Sequence, residues 1–170
     1  MNKFQSEEVR WAYRVIRDYF NGIVPNEDMN DHMNGKAACF VSLHLPGGVL
    51  RGCIGTLEPV RKNLREEIRW NALAAAFNDP RFPPLERREL DTLDISVDVL
   101  GKVELIASTK SLDPRIYGVI VSNGHKRGVL LPNLDGVDTV QQQVTIAMRK
   151  AGIAEGSPIK LERFQVTRYI

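Results

Sequence analysis

The chain has 170 residues, of which 43% are hydrophobic and 26% are charged, so it is long enough for one domain, or two small lobes, with a sizeable core. The formal net charge of +2 is small and no basic stripe accompanies it, which argues against nucleic-acid binding. The N-terminus lacks a secretion signal, no stretch approaches the roughly 20 apolar residues that cross a bilayer, and two cysteines make no disulfide framework. We therefore expect a cytoplasmic protein without a membrane segment.

Helical periodicity and strand-like runs follow one another along the whole chain. The first helix is expected from Ser6, an N-cap residue, to Phe20, with an apolar stripe facing the core. That stripe comprises Val9, Ala12, Tyr13, Ile16, Tyr19 and Phe20. Further helices are predicted over residues 62–77 and 139–151, and strands over residues 37–45, 49–55, 93–100, 102–106, 117–122, 126–131 and 159–170. Residues 23–36 and 132–138 are expected to be loops.

These elements predict an α+β fold in which mainly antiparallel sheets are packed with helices. Short turns join neighbouring strands, notably Pro46-Gly47-Gly48 and Asn123-Gly124, and such turns favour antiparallel hairpins. No internal repeat and no low-complexity linker divides the chain. A single domain over residues 1–170 is the expectation, with two lobes whose boundary the sequence does not give.

The hairpin over residues 37–55 predicts a polar cluster. If Gly47-Gly48 forms a two-residue turn, Ser42 lies opposite Cys53 and His44 lies opposite Arg51. Directly opposed residues share a face of the sheet, so these four side chains would lie together, away from the apolar residues of the other face. A three-residue loop would break this pairing.

The predicted cluster contains a nucleophile, a base and a cation. A thiolate is the reactive form of cysteine, and a neighbouring guanidinium favours it, so Cys53 is a candidate nucleophile and His44 a candidate base. Gly52 and Gly55 lack side chains, so a ligand or another backbone segment has room to approach. The alternative is that Cys53 is a small core residue and His44 an ordinary strand residue. Cys39 falls on the apolar face, which argues against a disulfide or a shared metal with Cys53.

The loop that follows the second helix is a second candidate binding segment. Asp79 is either a ligand-binding residue or a turn residue that accepts backbone hydrogen bonds. Arg81 stands beside a rigid proline-rich stretch, and arginine in such a place suits the capture of carboxylate or phosphate. Phe82 is expected to contact the core. The sequence contains no nucleotide-binding or metal-protease motif and no paired cysteines, so we expect no cofactor and no metal site.

Two long motifs together resemble the AMMECR family. They are Leu50 to Pro59, LRGCIGTLEP, and Ala74 to Leu85, AAAFNDPRFPPL, and the similarity extends over nearly the whole chain. The resemblance implies a two-lobed α/β architecture and an accessory part beside Memo-like and radical-SAM proteins, without naming a reaction. Its motif positions in this chain are Arg51, Gly52, Cys53, Gly55, Asp79, Arg81 and Phe82. Many relatives carry Gly-Trp-Asp before the last helix, where this chain has Asp135-Gly136-Val137-Asp138.

Two functional hypotheses follow. In the first, the chain is an accessory module that binds a small anionic ligand or a protein partner beside Arg51 and Arg81, and Cys53 is structural. In the second, it is a thiol-dependent enzyme in which Cys53 is the nucleophile, Arg51 lowers its pKa, and His44 or Asp79 is the base. The absence of an unambiguous base in the sequence favours the binding module.

Overall fold

The structure is a computed structural model that describes residues 5–26 and 31–170. The α-helices are α1 (Glu7–Phe20), α2 (Leu64–Phe77) and α3 (Val140–Ala151). The strands are β1 (Cys39–Leu45), β2 (Val49–Gly55), β3 (Asp94–Leu100), β4 (Glu104–Ile106), β5 (Gly118–Asn123), β6 (Lys126–Leu130), β7 (Lys160–Phe164) and β8 (Val166–Tyr169). Helices with antiparallel strand pairs make this an α+β fold, as the sequence predicted.

The described chain divides into two compact units. The first contains the described residues up to Val99 together with Thr167–Ile170, and its sheet has the strand order β2-β1-β3-β8. The second contains Leu100–Val166, and its sheet has the order β4-β7-β5-β6. Each unit buries its own apolar cluster, formed with α1 and α2 in the first unit and with α3 in the second.

Local sequence signals position the helices. The Ser6 hydroxyl accepts a hydrogen bond from the Val9 backbone N–H and so begins α1 at the predicted place. Thr139 and Gln142 form a capping box at the start of α3, which ends at Gly152 in the left-handed conformation. The predicted stripe of α1 is wrong at Tyr19, whose side chain is mostly exposed, whereas Trp11, outside that stripe, is buried.

The sequence placed one closing strand over residues 159–170, but the structure breaks it at Gln165. The segment before the break is β7 in the second sheet, and the segment after it is β8 in the first. The Gln165 carbonyl accepts a hydrogen bond from Gly101 N–H at 2.8 Å, which fixes the break. The second hairpin also differs slightly, because Asn123 pairs with Lys126 and the turn is therefore Gly124-His125. Part of the predicted 23–36 loop lies outside the described residues.

Candidate functional site

The hairpin of β1 and β2 carries the predicted cluster, with one change of register. Ser42 lies opposite Cys53, as predicted, but His44 lies opposite Leu50 rather than Arg51. A β-bulge makes Arg51 an extra, unopposed residue, because residues 46–48 form a three-residue loop instead of the expected two-residue turn. The prediction that His44 and Arg51 are cross-strand partners is therefore wrong.

Arg51 is buried, and its guanidinium is engaged in a structural network. Its Nε and Nη2 donate to the two carboxylate oxygens of Glu89, at 2.7 and 3.0 Å. Nη1 and Nη2 also donate to the carbonyls of Pro83 and Pro84. The hydrogen bond from Arg51 is the main reason that the pKa of Glu89 is lowered. Arg51 thus fastens the Pro83-Pro84 segment to β2, and its charge is already paired with Glu89, which weakens its predicted role as the cation that activates the thiol.

Cys53 is half-buried and is a free thiol. The Ser42 hydroxyl donates a hydrogen bond to its Sγ, at 3.2 Å. Cys39 is completely buried on the opposite face, as predicted, and burial raises the pKa of its thiol to about 12. The two cysteines therefore have separate environments, and of the two only Cys53 is partly exposed.

Asp79 and Arg81 bind the outer edge of β2 at Cys53. The Asp79 carboxylate is 4% exposed and accepts from the Cys53 N–H at 2.9 Å. It also accepts from the backbone N–H, Nε and Nη2 of Arg81, at 3.1, 3.0 and 2.7 Å. Nη2 of Arg81 donates in addition to the Cys53 carbonyl, at 3.2 Å. The two side chains therefore pair with both main-chain groups of Cys53, much as a neighbouring strand would.

The charges in this arrangement are strongly coupled. The hydrogen bond from Arg81 is the largest cause of an Asp79 pKa well below its ordinary value. The same bond raises the pKa of Arg81, and the charges of Asp79 and of an ionised Cys53 add to that increase. Asp79 is consequently an anion throughout the physiological pH range, and its lowered pKa makes it a weak general base.

Arg81 keeps one guanidinium nitrogen available, whereas the other two are bonded to Asp79 and Cys53. Its side chain is 55% exposed, and within the described part of the chain its Nη1 donates no hydrogen bond. The guanidinium carbon lies 5.4 Å from the centre of the Phe82 ring. Phe82 itself is half-buried and lies outside the core cluster, contrary to the expectation that it contacts the core.

The two glycines of the motif are explained by packing. A Cβ atom on Gly52 would collide with the carbonyl oxygen of Ala75 in α2, and one on Gly55 would collide with the ring of Phe40. The sequence predicted that the missing side chains make room either for a ligand or for another part of the chain. The second reason accounts for both glycines. Ligand binding at Gly52 and Gly55 stays a prediction.

The whole chain matches a known family. The AMMECR1 family model covers residues 9–169. The chain belongs to the AMMECR1 family. An AMMECR1 relative from Thermotoga maritima is 48% identical, with 95% of each chain covered. The protein CA_C1420 of Clostridium acetobutylicum is 50% identical over 93% of this chain, which corresponds to only 32% of that relative's length. The crystal structure of the uncharacterized protein PH0010 from Pyrococcus horikoshii has a TM-score of 0.86 at 29% identity, covering 95% of this chain and 88% of that one.

Sequence reasoning missed a second ion pair on the same sheet as the AMMECR1 motif. Arg168 of β8 donates from Nε and Nη2 to the buried Asp98, at 2.7 and 2.8 Å. The hydrogen bond to Asp98 is the main reason that the pKa of Arg168 is raised, and the charge of an ionised Cys53 contributes to that rise, so this guanidinium is within electrostatic reach of the thiol. Asp98 was visible as a polar residue in an alternating strand, but no local signal joined it to residue 168.

The described part of the AMMECR1 chain has neither a metal-binding cluster nor a membrane-spanning helix. In residues 5–26 and 31–170, no three His, Cys, Asp or Glu side chains are grouped so that they would hold a metal ion. Over the same ranges, no helix combines the length and the apolar character needed to cross a membrane.

Proposed function

We propose that this chain is a binding module whose working surface is the exposed side of Arg81 together with Cys53 and Phe82, and that it takes a small anionic ligand or an acidic segment of a protein partner. The observation that carries the proposal is the state of Arg81. Asp79 holds the guanidinium in one orientation, while the Arg81 side chain as a whole stays about half-exposed and its Nη1 donates no hydrogen bond within the described residues. A donor that is already immobilised loses little conformational entropy when it binds, which favours recognition.

The chemistry of this surface defines the ligand class. Arginine binds carboxylates and phosphates through planar N–H donors. Asp79 offsets the charge of Arg81, so a free ion gains little Coulomb energy there, and useful affinity needs a second contact. The Phe82 ring supplies an apolar one. A ligand that carries an oxyanion next to an apolar group fits both.

The composition of a relative supports an accessory role. In CA_C1420 the matching region is 32% of the protein, so an AMMECR1 domain is part of a larger chain there. Fusion to a longer chain is consistent with a module that acts together with another protein or domain. Memo-like and radical-SAM proteins, which the sequence resemblance suggested, are the partners to test, and we expect the encounter to take place in the cytoplasm.

A titration followed by NMR tests this surface. Backbone amides and arginine Nε–H signals are recorded while sodium phenylphosphate or sodium phenylacetate, each an oxyanion next to an apolar ring, is added, with sodium chloride at matched ionic strength as reference. We expect saturable chemical-shift changes at Cys53 and Arg81. In Arg81→Gln the affinity obtained from the Cys53 signal should be at least tenfold weaker. The control is Arg88→Gln, because Arg88 is 82% exposed and pairs with Glu86 at the surface. Equal binding by a folded Arg81→Gln protein, or shifts that follow ionic strength alone, would refute the proposal.

The second candidate function is a thiol-dependent enzyme, and the Ser42 hydroxyl that donates to the Cys53 sulfur is the observation in its favour. A hydrogen-bond donor stabilises a thiolate. The candidate bases are the weakness of this hypothesis, because Asp79 is bonded to Arg81 and His44 lies opposite Leu50. Loss of partner or ligand binding in Cys53→Ser, with normal binding in Arg81→Gln, would favour the enzyme over the binding module.

A further inference from the structure

Arg168 of β8 is held in the same way as Arg81. Its Nε and Nη2 donate to the two oxygens of the Asp98 carboxylate, at 2.7 and 2.8 Å. The Asp98 side chain is 1% exposed, whereas that of Arg168 is 51% exposed. Asp79 and Arg81 repeat this arrangement, with side chains that are 2% and 55% exposed. In both pairs the carboxylate is buried and the guanidinium is half-exposed, so each pair presents its positive end at the surface.

Arg168 has more unused hydrogen-bond donors than Arg81. A guanidinium has five N–H donors, one on Nε and two on each Nη. Within residues 5–26 and 31–170, Arg168 donates only to Asp98, so both hydrogens of Nη1 and one of Nη2 are left over. Those two nitrogens form one edge of the planar fork, which suits the two oxygens of a carboxylate or a phosphate. In Arg81 the second hydrogen of Nη2 is bonded to the Cys53 carbonyl, which leaves Nη1 alone.

The register of the first sheet places Arg168 and Cys53 on one face. Ser42 lies opposite both Cys53 in β2 and Ser96 in β3, so these three side chains share a face, and Asp98 follows on that face two residues after Ser96. Two strand spacings of about 4.8 Å separate β2 from β3, so the guanidinium bound to Asp98 lies about 10 Å from Cys53. The pKa of each guanidinium is raised chiefly by its own aspartate and further by an ionised Cys53, which agrees with this placement.

We infer that Arg168 is a second anion-binding residue of the surface around Cys53, and that the ligand is a small molecule with two oxyanion groups. One group binds the unused edge of Arg168 and the other binds Nη1 of Arg81, at a separation of about 10 Å. The ligand class is a dicarboxylate or a carboxylate that also carries a phosphate. The inference rests on the proposed function, because it adds a contact to the Arg81 surface.

Two contacts also answer the question of affinity. Each arginine is largely neutralised by its aspartate, so a single oxyanion gains little from Coulomb attraction at either one. Both guanidiniums are already held in place, and a ligand that reaches both makes its second contact at a high effective concentration. A dianion of the right length therefore binds more tightly than a monoanion of the same length.

Matched carboxylates test the second contact. Suberate and octanoate have the same chain length, but octanoate has a carboxylate at one end only. Each sodium salt is titrated at matched ionic strength, and the Cys53 amide and the Nε–H signals of Arg81 and Arg168 are followed by NMR. We expect suberate to bind about tenfold more tightly than octanoate, with saturable changes at both arginines. Succinate, which is too short to reach both groups, should show no such advantage over butyrate.

Arginine variants locate the advantage of suberate. Arg168→Gln should reduce the affinity for suberate to that for octanoate, because the unused edge is lost. If the unpaired Asp98 prevents folding, the double variant Asp98→Asn/Arg168→Gln takes its place, because it replaces the ion pair with two neutral amides. The matched control is Arg17→Gln. The Arg17 side chain is 48% exposed and is bonded through Nε and Nη2 to the buried Asp18, but it lies on α1 and should leave the advantage unchanged.

The outcomes separate this inference from the proposed function. Equal binding of suberate and octanoate, or an advantage of suberate that persists in a variant of Arg168 shown by circular dichroism to be folded, would overturn the inference. Phenylacetate binding that depends on Arg81 would then still support the proposed function. The advantage should also disappear in Arg81→Gln, since both contacts are needed, and its persistence there would overturn the two-point ligand.

Discussion

The first sheet has two faces that differ in what their side chains do. The helix face, formed by Cys39, Val41, Leu43, Gly52, Ile95 and Val97, packs against α1 and α2 and consists of small or aliphatic residues. The polar face, formed by Ser42, His44, Cys53, Ser96 and Asp98, carries hydroxyls, a thiol, an imidazole and a buried carboxylate. The same pleat therefore separates aliphatic residues that pack against the helices from polar residues, of which His44 and Cys53 are partly exposed. Cys39 lies on the helix face and Cys53 on the polar face, so the same chemical group can be compared in the two environments.

Alkylation of the two cysteines should give the largest contrast between the faces. At pH 8 a thiol with a pKa of about 12, the value that burial gives Cys39, is almost entirely protonated. We expect iodoacetamide to modify Cys53 faster than Cys39 by a factor of about 1,000, read by mass spectrometry of the folded protein. Denaturant provides the control, because both thiols should then react alike. If Cys53 reacted only in denaturant, the thiol would be inaccessible in the folded protein, and the thiol-enzyme hypothesis would be refuted.

A methyl group added at Gly52 should damage the helix face. The new Cβ would meet the Ala75 carbonyl, which belongs to the backbone of α2 and has little freedom to move. We expect Gly52→Ala to lower the free energy of unfolding by about 3 kcal/mol in urea titration. Gly35→Ala is the matched control, since a Cβ there has no atom within 4 Å. Equal stability of the two variants would show that β2 and α2 are less closely packed than described.

The outer edge of β2 should show a pH-dependent contribution from Asp79. Its pKa is depressed in the folded chain, chiefly by the hydrogen bond from Arg81, so its stabilising effect is present above the unfolded value of about 4 and is lost as the pH falls below it. We expect Asp79→Asn to lower the free energy of unfolding by about 2 kcal/mol at pH 7. The deficit should shrink below about pH 4, measured by urea titration across pH. Asp94→Asn, at an exposed position, is the control, and a deficit that is constant with pH would contradict the charge-based account.

Local signals predicted much of this fold. Some signals depend only on residues that are close in the sequence, such as the N-caps at Ser6 and Thr139 and the alternation in β3. The helices and the first hairpin were therefore placed to within a few residues. The end of β7 was not predictable in this way, because no Gly, Pro, Asn or Asp interrupts residues 160–170 to mark a break at Gln165. The hydrogen bond that breaks it comes from Gly101, far away in the sequence.

The candidate site was predicted in part, for a similar reason. Strand pairing and pleating predicted that Ser42 and Cys53 lie opposite each other on one face of the sheet, and the register confirms this. The orientation of Arg51 depends on a three-residue loop and on Glu89, which is 38 positions away, and neither was evident from the hairpin alone. Arg81 attracted notice for its proline-rich surroundings, but only the fold brings its side chain to the main chain of Cys53.

The return of β8 to the first sheet has a consequence for synthesis on the ribosome. Residues 100–166 are contiguous, so the second unit has all of its strands as soon as that stretch has emerged. The first sheet must wait for its fourth strand until the second unit has been translated. Until then Asp98 lacks the guanidinium of Arg168, so a nascent chain holds an incomplete sheet with an uncompensated carboxylate.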